Sequence, residues 1–139
     1  MRILSLDLGI QSCGICISDE TNTIPIPLEN FLFTREDYLQ LLTKLQLIIN
    51  EYQITLILLG YPLRTDGDKS ESTYRVENFY KLLNDNVDHK IKIKYFNEDF
   101  STKRGIEMLK ISIKDPQKIK KLKDVAAAYI ILQDYLMIV

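Results

Sequence analysis

The sequence predicts an α/β fold, a mixed β-sheet with helices packed on its faces. Three observations predict it. Strand-like stretches crowd the opening of the chain, helical and strand-like stretches alternate after them, and residues 54–59 (ITLILL) form the nearly all-apolar run of a strand buried on both faces of a sheet. With 139 residues, 46% of them hydrophobic and 27% charged, the chain has apolar surface for one core and fits a single domain, residues 1–139. Only 5 Gly and 4 Pro, without a low-complexity tract, exclude a linker-rich or disordered chain.

Each element has its own signal. Residues 2–8 (RILSLDL) read as a strand with Leu4, Leu6 and Leu8 on one face, residues 9–12 as a turn, and residues 13–18 as a second strand. A third strand around 26–33 is weakened by Pro25 and Pro27. Thr34 is placed to cap a helix from 35 to about 53, whose stripe Tyr38, Leu42, Leu45, Ile49 and Tyr52 has helical spacing. The apolar run 54–59 follows as a parallel strand, then a polar loop with an Asp66-Gly67 turn and a helix from about 72 to 83. Residues 90–97 alternate charged and apolar side chains, as a strand does. Ser101 is placed to cap a short helix to about Lys110, residues 115–123 form a basic connection containing Pro116, and a last helix runs from Asp124 to about Ile138. The expected order is βββαβαβαα.

Composition excludes several functions. The apolar stretches 54–59 and 125–139 are too short, or too broken by Gln133 and Asp134, to cross a bilayer, and Asp7 precedes any signal-like region. The expectation is a cytoplasmic protein without a membrane partner. Two cysteines cannot build a disulfide scaffold, and the Cys13-Gly-Ile-Cys16 pair falls on a strand, where positions i and i+3 face opposite ways, so it reads neither as a redox motif nor as a zinc site. His89 is the sole histidine and sits in a polar segment, which leaves no Ser-His-Asp or Cys-His relay.

The formal net charge of −1 conceals an asymmetry: residues 90–123 hold eleven Lys or Arg against Glu98, Asp99, Glu107 and Asp115, an excess of +7. Such a segment reads either as a solvated face or as a polyanion-binding surface.

Three carboxylates carry the candidate chemistry. Asp7 ends an apolar strand just before Leu8-Gly9, Glu98 ends another strand, and Asp124 begins the final helix. Carboxyl ends of neighbouring parallel strands meet at one edge, where ligands bind in open α/β sheets. A trio of this kind offers the hard oxygen ligands that Mg²⁺ or Mn²⁺ prefers, and one or two such ions activate water in phosphodiester hydrolysis. The structural alternatives are that Asp7 fixes a turn, Glu98 pairs with Lys94 or Lys103, and Asp124 caps a helix.

Four separated motifs then carry a resemblance: Arg2-Ile-Leu-Ser-Leu-Asp7-Leu-Gly9 with Gly14 and Ser18-Asp19; Gly60-Tyr-Pro62-Leu with Asp66-Gly67, Val76 and Phe79; Glu98 with Phe100-Ser101-Thr102 and Glu107-Met108-Leu109; and Lys123-Asp124-Val-Ala-Ala-Ala-Tyr-Ile-Ile-Leu-Gln133-Asp-Tyr-Leu136. In this order, over nearly the whole chain, they resemble the YqgF/RuvX family, bacterial proteins with an RNase H-like fold related to Holliday junction resolvases. The resemblance implies an RNase H-like α/β fold with a central five-stranded mixed sheet flanked by helices. It implies Asp7, Glu98 and Asp124 as catalytic, metal-binding carboxylates for Mg²⁺ or Mn²⁺, and a cytoplasmic nuclease that matures the 5′ end of precursor 16S rRNA.

The substrate backbone is then expected at Arg64, Lys69, Lys103, Arg104, Lys118, Lys120, Lys121 and Lys123, and ribosomal assembly factors are possible partners of a monomer or weak homodimer. Two other classes stand beside it: a junction-cleaving DNase, and a non-catalytic RNA-binding or ribosome-associated module. The family commonly has Asp-Glu-Arg where this chain has Asn97-Glu98-Asp99, and Gly where Ser70 stands.

Overall fold

The computed structural model describes residues 1–62, 69–97, 115–117 and 125–138. In chain order they form β1 (Arg2–Leu8), β2 (Ser12–Ser18), β3 (Pro25–Leu32), α1 (Tyr38–Tyr52), β4 (Ile54–Tyr61), α2 (Glu71–Asn86), β5 (Lys92–Asn97) and α3 (Ala126–Ile138). The strands make one five-stranded mixed sheet in the order β3-β2-β1-β4-β5. The first three strands are an antiparallel meander, and β1, β4 and β5 run parallel. The expected short helix from Ser101 to Lys110 and the connection 118–123 lie outside the described residues.

Alternation along the strands divides the core in two. Leu4 and Leu6 of β1, Cys13, Ile15 and Ile17 of β2, and Ile57 and Leu59 of β4 pack with Leu41, Leu45 and Ile49 of α1 and Val76, Phe79 and Leu83 of α2. Ile3, Cys16 and Leu58 point the other way and are covered by Val125, Ala128, Ile131 and Leu132. Cys13 and Cys16 thus sit in different halves of the core, as expected of strand positions three apart. Burial on the α3 side pushes the Cys16 thiol up, so it stays protonated.

The prolines that weaken the third strand are explained by its position. β3 is an edge strand, where a missing backbone N–H is tolerated, and its register slips between Ile15↔Glu29 and Cys16↔Pro27, leaving Leu28 as the bulged residue. The helix expected from residue 35 under a Thr34 cap begins later. Residues 34–37 form a turn closed by the Asp37 N–H on the Thr34 carbonyl (2.8 Å), with Glu36 in the left-handed region (φ 58°) and its N–H on the Ile10 carbonyl (2.8 Å). That tie to the β1–β2 turn holds the backbone out of helix until Tyr38. At its far end Gln53 is left-handed (φ 54°, ψ 54°) and returns its N–H to Ile49, the usual stop before a strand.

α2 is longer than the expected 72–83 because Ser70 caps it: the Ser70 side chain accepts from the Thr73 N–H, and the Thr73 side chain accepts from the Ser70 N–H. The hydroxyl of Ser70, where the family commonly has Gly, is thereby accounted for. Among the described residues no helix is long and apolar enough to cross a membrane.

Candidate active site at the carboxyl edge of the sheet

Asp7 lies next to last in β1, half-buried, opposite Gly14 of β2. On the other side the β1–β4 register ends at Leu6↔Leu59, so its next step sets Asp7 beside Gly60, which pairs with Phe96 of β5. The row across the sheet at this level is therefore Gly14, Asp7, Gly60, Phe96. A carboxylate flanked by two glycines has no neighbouring side chain to crowd it. Phe96 bounds the row and meets Tyr135 of α3 edge-on at 6.4 Å between centroids.

The face that Asp7 occupies follows from Ser5, two residues before it. The Ser5 hydroxyl donates to the Ala128 carbonyl in the first turn of α3, so Ser5 and Asp7 are both on the α3 side of the sheet. Small residues make this approach possible: Ala126, Ala127 and Ala128 are all buried, and the Cys16 thiol lies 3.9 Å from the Val125 carbonyl. Among the described residues the Asp7 carboxylate makes no ion pair or hydrogen bond.

Of the predicted trio, Asp7 alone is described; Glu98 and Asp124 lie outside the described residues. Their sequence neighbours are placed. Asn97, immediately before Glu98, ends β5 opposite Tyr61, one step beyond the level of Asp7. Val125, immediately after Asp124, is buried against Ile3, Cys16 and Leu58. Among the described residues no group of three His, Cys, Asp or Glu is assembled to hold a metal ion.

The turn after β1 is built around Gly9. Its N–H donates to the Ser12 carbonyl at 2.7 Å, and a Cβ on Gly9 would stand 2.9 Å from that same oxygen, so only glycine lets β2 return so tightly. The Tyr38 hydroxyl donates to the Gly9 carbonyl (3.3 Å), and burial raises its pKa.

Of the predicted substrate-binding cations, Lys69 alone is described. Arg64, Lys103, Arg104, Lys118, Lys120, Lys121 and Lys123 lie outside the described residues. Lys69 Nζ is 2.9 Å from Glu77 Oε2, and the Tyr61 hydroxyl donates to the same oxygen at 3.1 Å. The Lys69 hydrogen bond holds Glu77 below its usual range, and Glu77 raises Lys69 in return. Tyr61 packs with the α1/α2 half of the core, so this cluster stands at the same edge as Asp7 but on the opposite face. Sequence reasoning missed Glu77 and Tyr61 as partners of Lys69, since residues separated by a strand end and two turns of helix leave no local signal.

A family model described as "RuvX: Holliday junction resolvase" matches residues 1–138. The chain belongs to the RuvX family. Within it, two similar curated relatives carry the name "Putative pre-16S rRNA nuclease": one from Ureaplasma parvum serovar 3, 45% identical over 98% of this chain and 96% of its own, and one from Mycoplasmopsis synoviae, 39% identical over 98% and 97%. Among solved structures this RuvX chain is similar to T. thermophilus RuvC in complex with a Holliday junction substrate, with a TM-score of 0.65 at 10% identity over 99% of this chain and 96% of that one. It is also similar to the Fowlpox virus resolvase in complex with Holliday junction DNA (TM-score 0.62, 17% identity, 99% and 97% covered). At these identities the likeness establishes the fold, which is RNase H-like, with the five-stranded mixed sheet expected from the sequence.

Proposed function

We propose that this chain is a metal-dependent nuclease that processes the 5′ end of precursor 16S rRNA in the cytoplasm, folded as one domain over residues 1–139. The observation that carries the reading is Asp7: a half-buried carboxylate at the carboxyl end of a central strand, between Gly14 and Gly60, with no partner among the described residues. The strand that leads into Glu98 ends at the same edge, and the residue after Asp124 packs two residues from Asp7 in the β1–β2 register. The naming of relatives at 39% and 45% identity supports the same substrate.

Asp7, Glu98 and Asp124 would hold Mg²⁺ or Mn²⁺, the cations suited to an all-carboxylate donor set. When bound, such an ion polarises the phosphoryl oxygen and lowers the pKa of water. The chain's own contribution is to set Asp7 at this edge, to leave the Gly14–Asp7–Gly60 row open to a phosphodiester backbone, and to fix the edge by the close packing of α3. Arg64, Lys69, Lys103, Arg104, Lys118, Lys120, Lys121 and Lys123 would hold the substrate backbone, with ribosomal assembly factors as partners of a monomer or weak homodimer.

The deciding experiment is cleavage with Mg²⁺ or Mn²⁺, comparing wild type and Asp7→Asn on a precursor 16S rRNA 5′ segment and on a four-way DNA junction. Cutting of the RNA, lost in a variant that melts at the wild-type temperature, is the expected result. Cutting of the junction alone moves the assignment to a resolvase-type DNase, the activity in the family description. Salt-sensitive RNA binding without cutting or divalent-ion binding selects the non-catalytic module. Undiminished cutting by Asp7→Asn overturns the site.

A further inference from the structure

Four tyrosines gather where β4, β5 and α2 meet. Tyr61 and Tyr95 stand 4.5 Å apart between ring centroids, tilted by 50°, and Tyr80 and Tyr95 stand 4.9 Å apart, tilted by 37°. Tyr74 is on the α2 stripe that also carries Glu77 and Tyr80, and Lys69 Nζ lies over its ring at 6.0 Å. The core of this half of the molecule is already closed beneath them by Val76, Phe79 and Leu83. Tyr95 is nonetheless 41% exposed and Tyr74 56% exposed. Partly exposed aromatic rings grouped in this way mark a binding surface rather than a core.

The rim fixes what that surface takes. Lys69 is held against it by Glu77 and the Tyr61 hydroxyl. Lys81 lies one turn beyond Glu77 on α2, so Lys69 and Lys81 set two cations against Glu77 around the rings, while Lys92 and Lys94 alternate with Tyr95 along β5 and stand on the opposite face of the sheet. Aromatic faces bordered by lysines are the arrangement that stacks unpaired bases while the backbone phosphates meet the cations; a duplex keeps its base faces to itself.

We propose that Tyr95, together with Tyr61, Tyr80 and Tyr74, is a stacking platform for unpaired bases of an RNA strand, which it leads to the edge where Asp7 stands. The proposal rests on the nuclease reading and deepens it by specifying a single-stranded segment beside the cleaved bond. β5 is two strands from β1 in the sheet, about 9–10 Å, so the strand reaches Asp7 by crossing the carboxyl edge from the α2 face to the α3 face.

The chain contains no tryptophan, so Tyr95→Trp places a single indole emitter on the platform. An unstructured RNA oligonucleotide is expected to quench it, and the same sequence in a duplex is not. Tyr95→Ala is expected to weaken oligonucleotide binding about five- to hundredfold while duplex binding stays within about twofold, and Tyr95→Phe to retain binding, because a ring face is what stacking needs. Absence of quenching, or equal losses on single strand and duplex, overturns the platform. If wild type cuts RNA in an Asp7-dependent way yet the Tyr95→Trp emission ignores the oligonucleotide, the platform falls and the nuclease reading stands. If wild type neither cuts nor binds RNA, both fall.

Discussion

Asp19 closes the turn after β2 by accepting from the Thr21 hydroxyl (2.6 Å) and from the backbone N–H groups of Thr23 (2.6 Å) and Ile24 (3.0 Å), whereas Asp7, at the other end of the same hairpin, has no such partners among the described residues. The two carboxylates are opposite in commitment. Asp19 spends its charge on the turn: the Thr21 hydroxyl, then the Ile24 and Thr23 amides, lower its pKa from 3.8 to about 2. A folded-state pKa below the unfolded one contributes stability that is present above about pH 4 and is lost as pH falls through about 2. The melting temperature of Asp19→Asn should therefore lie below wild type at pH 5, with the gap narrowing toward pH 2; carbon-detected titration of the wild-type carboxyl should give a midpoint near 2. A gap that stays constant with pH would assign the turn to backbone hydrogen bonds alone. In the sequence Asp19 stands out only through the Ser18-Asp19 part of the family motif, and its role as an acceptor for three donors emerges only from the conformation of the turn.

At the scale of elements, the placement of the site depends on how closely α3 approaches β1 and β2. Ala128 is fully buried and its carbonyl accepts from the Ser5 hydroxyl, so the first turn of the helix has no room for a larger side chain. Ala128→Leu should destabilise the fold by about 1–3 kcal/mol, as overpacking does, read by thermal or denaturant melting. It should also reduce cleavage at a temperature where the variant is fully folded, since the residue before Val125 is Asp124. Destabilisation without loss of activity would separate the docking of α3 from the geometry of the site. The strands themselves were legible because β1, β2 and β4 announce themselves by alternation or by a nearly all-apolar run, whereas Pro25 and Pro27 only weakened the reading of β3, and its place at the sheet edge follows from pairing with β2 alone. The start of α1 was not, because the Glu36 amide goes to Ile10, a tertiary bond that overrides the local preference for Thr34 as a cap. Nor was the pairing of Asp7 with two glycines, since Gly14 and Gly60 reach it only through the registers of two different neighbouring strands.

Over the whole molecule, charge and aromatic surface make separable contributions to holding a nucleic acid. The chain carries a formal net charge of −1, yet residues 90–123 hold an excess of +7, and the part of that segment described in the structure shows Lys92 and Lys94 exposed on β5. Lysines that meet phosphate release counterions, so each contact steepens the fall of affinity with salt by about 0.7 in the log–log slope for a single strand, and it does so without regard to sequence. Replacing Lys118, Lys120, Lys121 and Lys123 with Ala should weaken binding of unrelated RNA sequences alike and flatten the slope by up to about 3 when all four make such contacts. Filter binding or fluorescence anisotropy at several salt concentrations measures it. Tyr95→Ala should do the reverse, lowering affinity at every salt concentration while leaving the slope nearly unchanged, because stacking on a ring releases no counterions. A slope unaltered by the four replacements would remove those lysines from the binding face and leave the polyanion to the cations around the tyrosines and Arg64, Lys103 and Arg104.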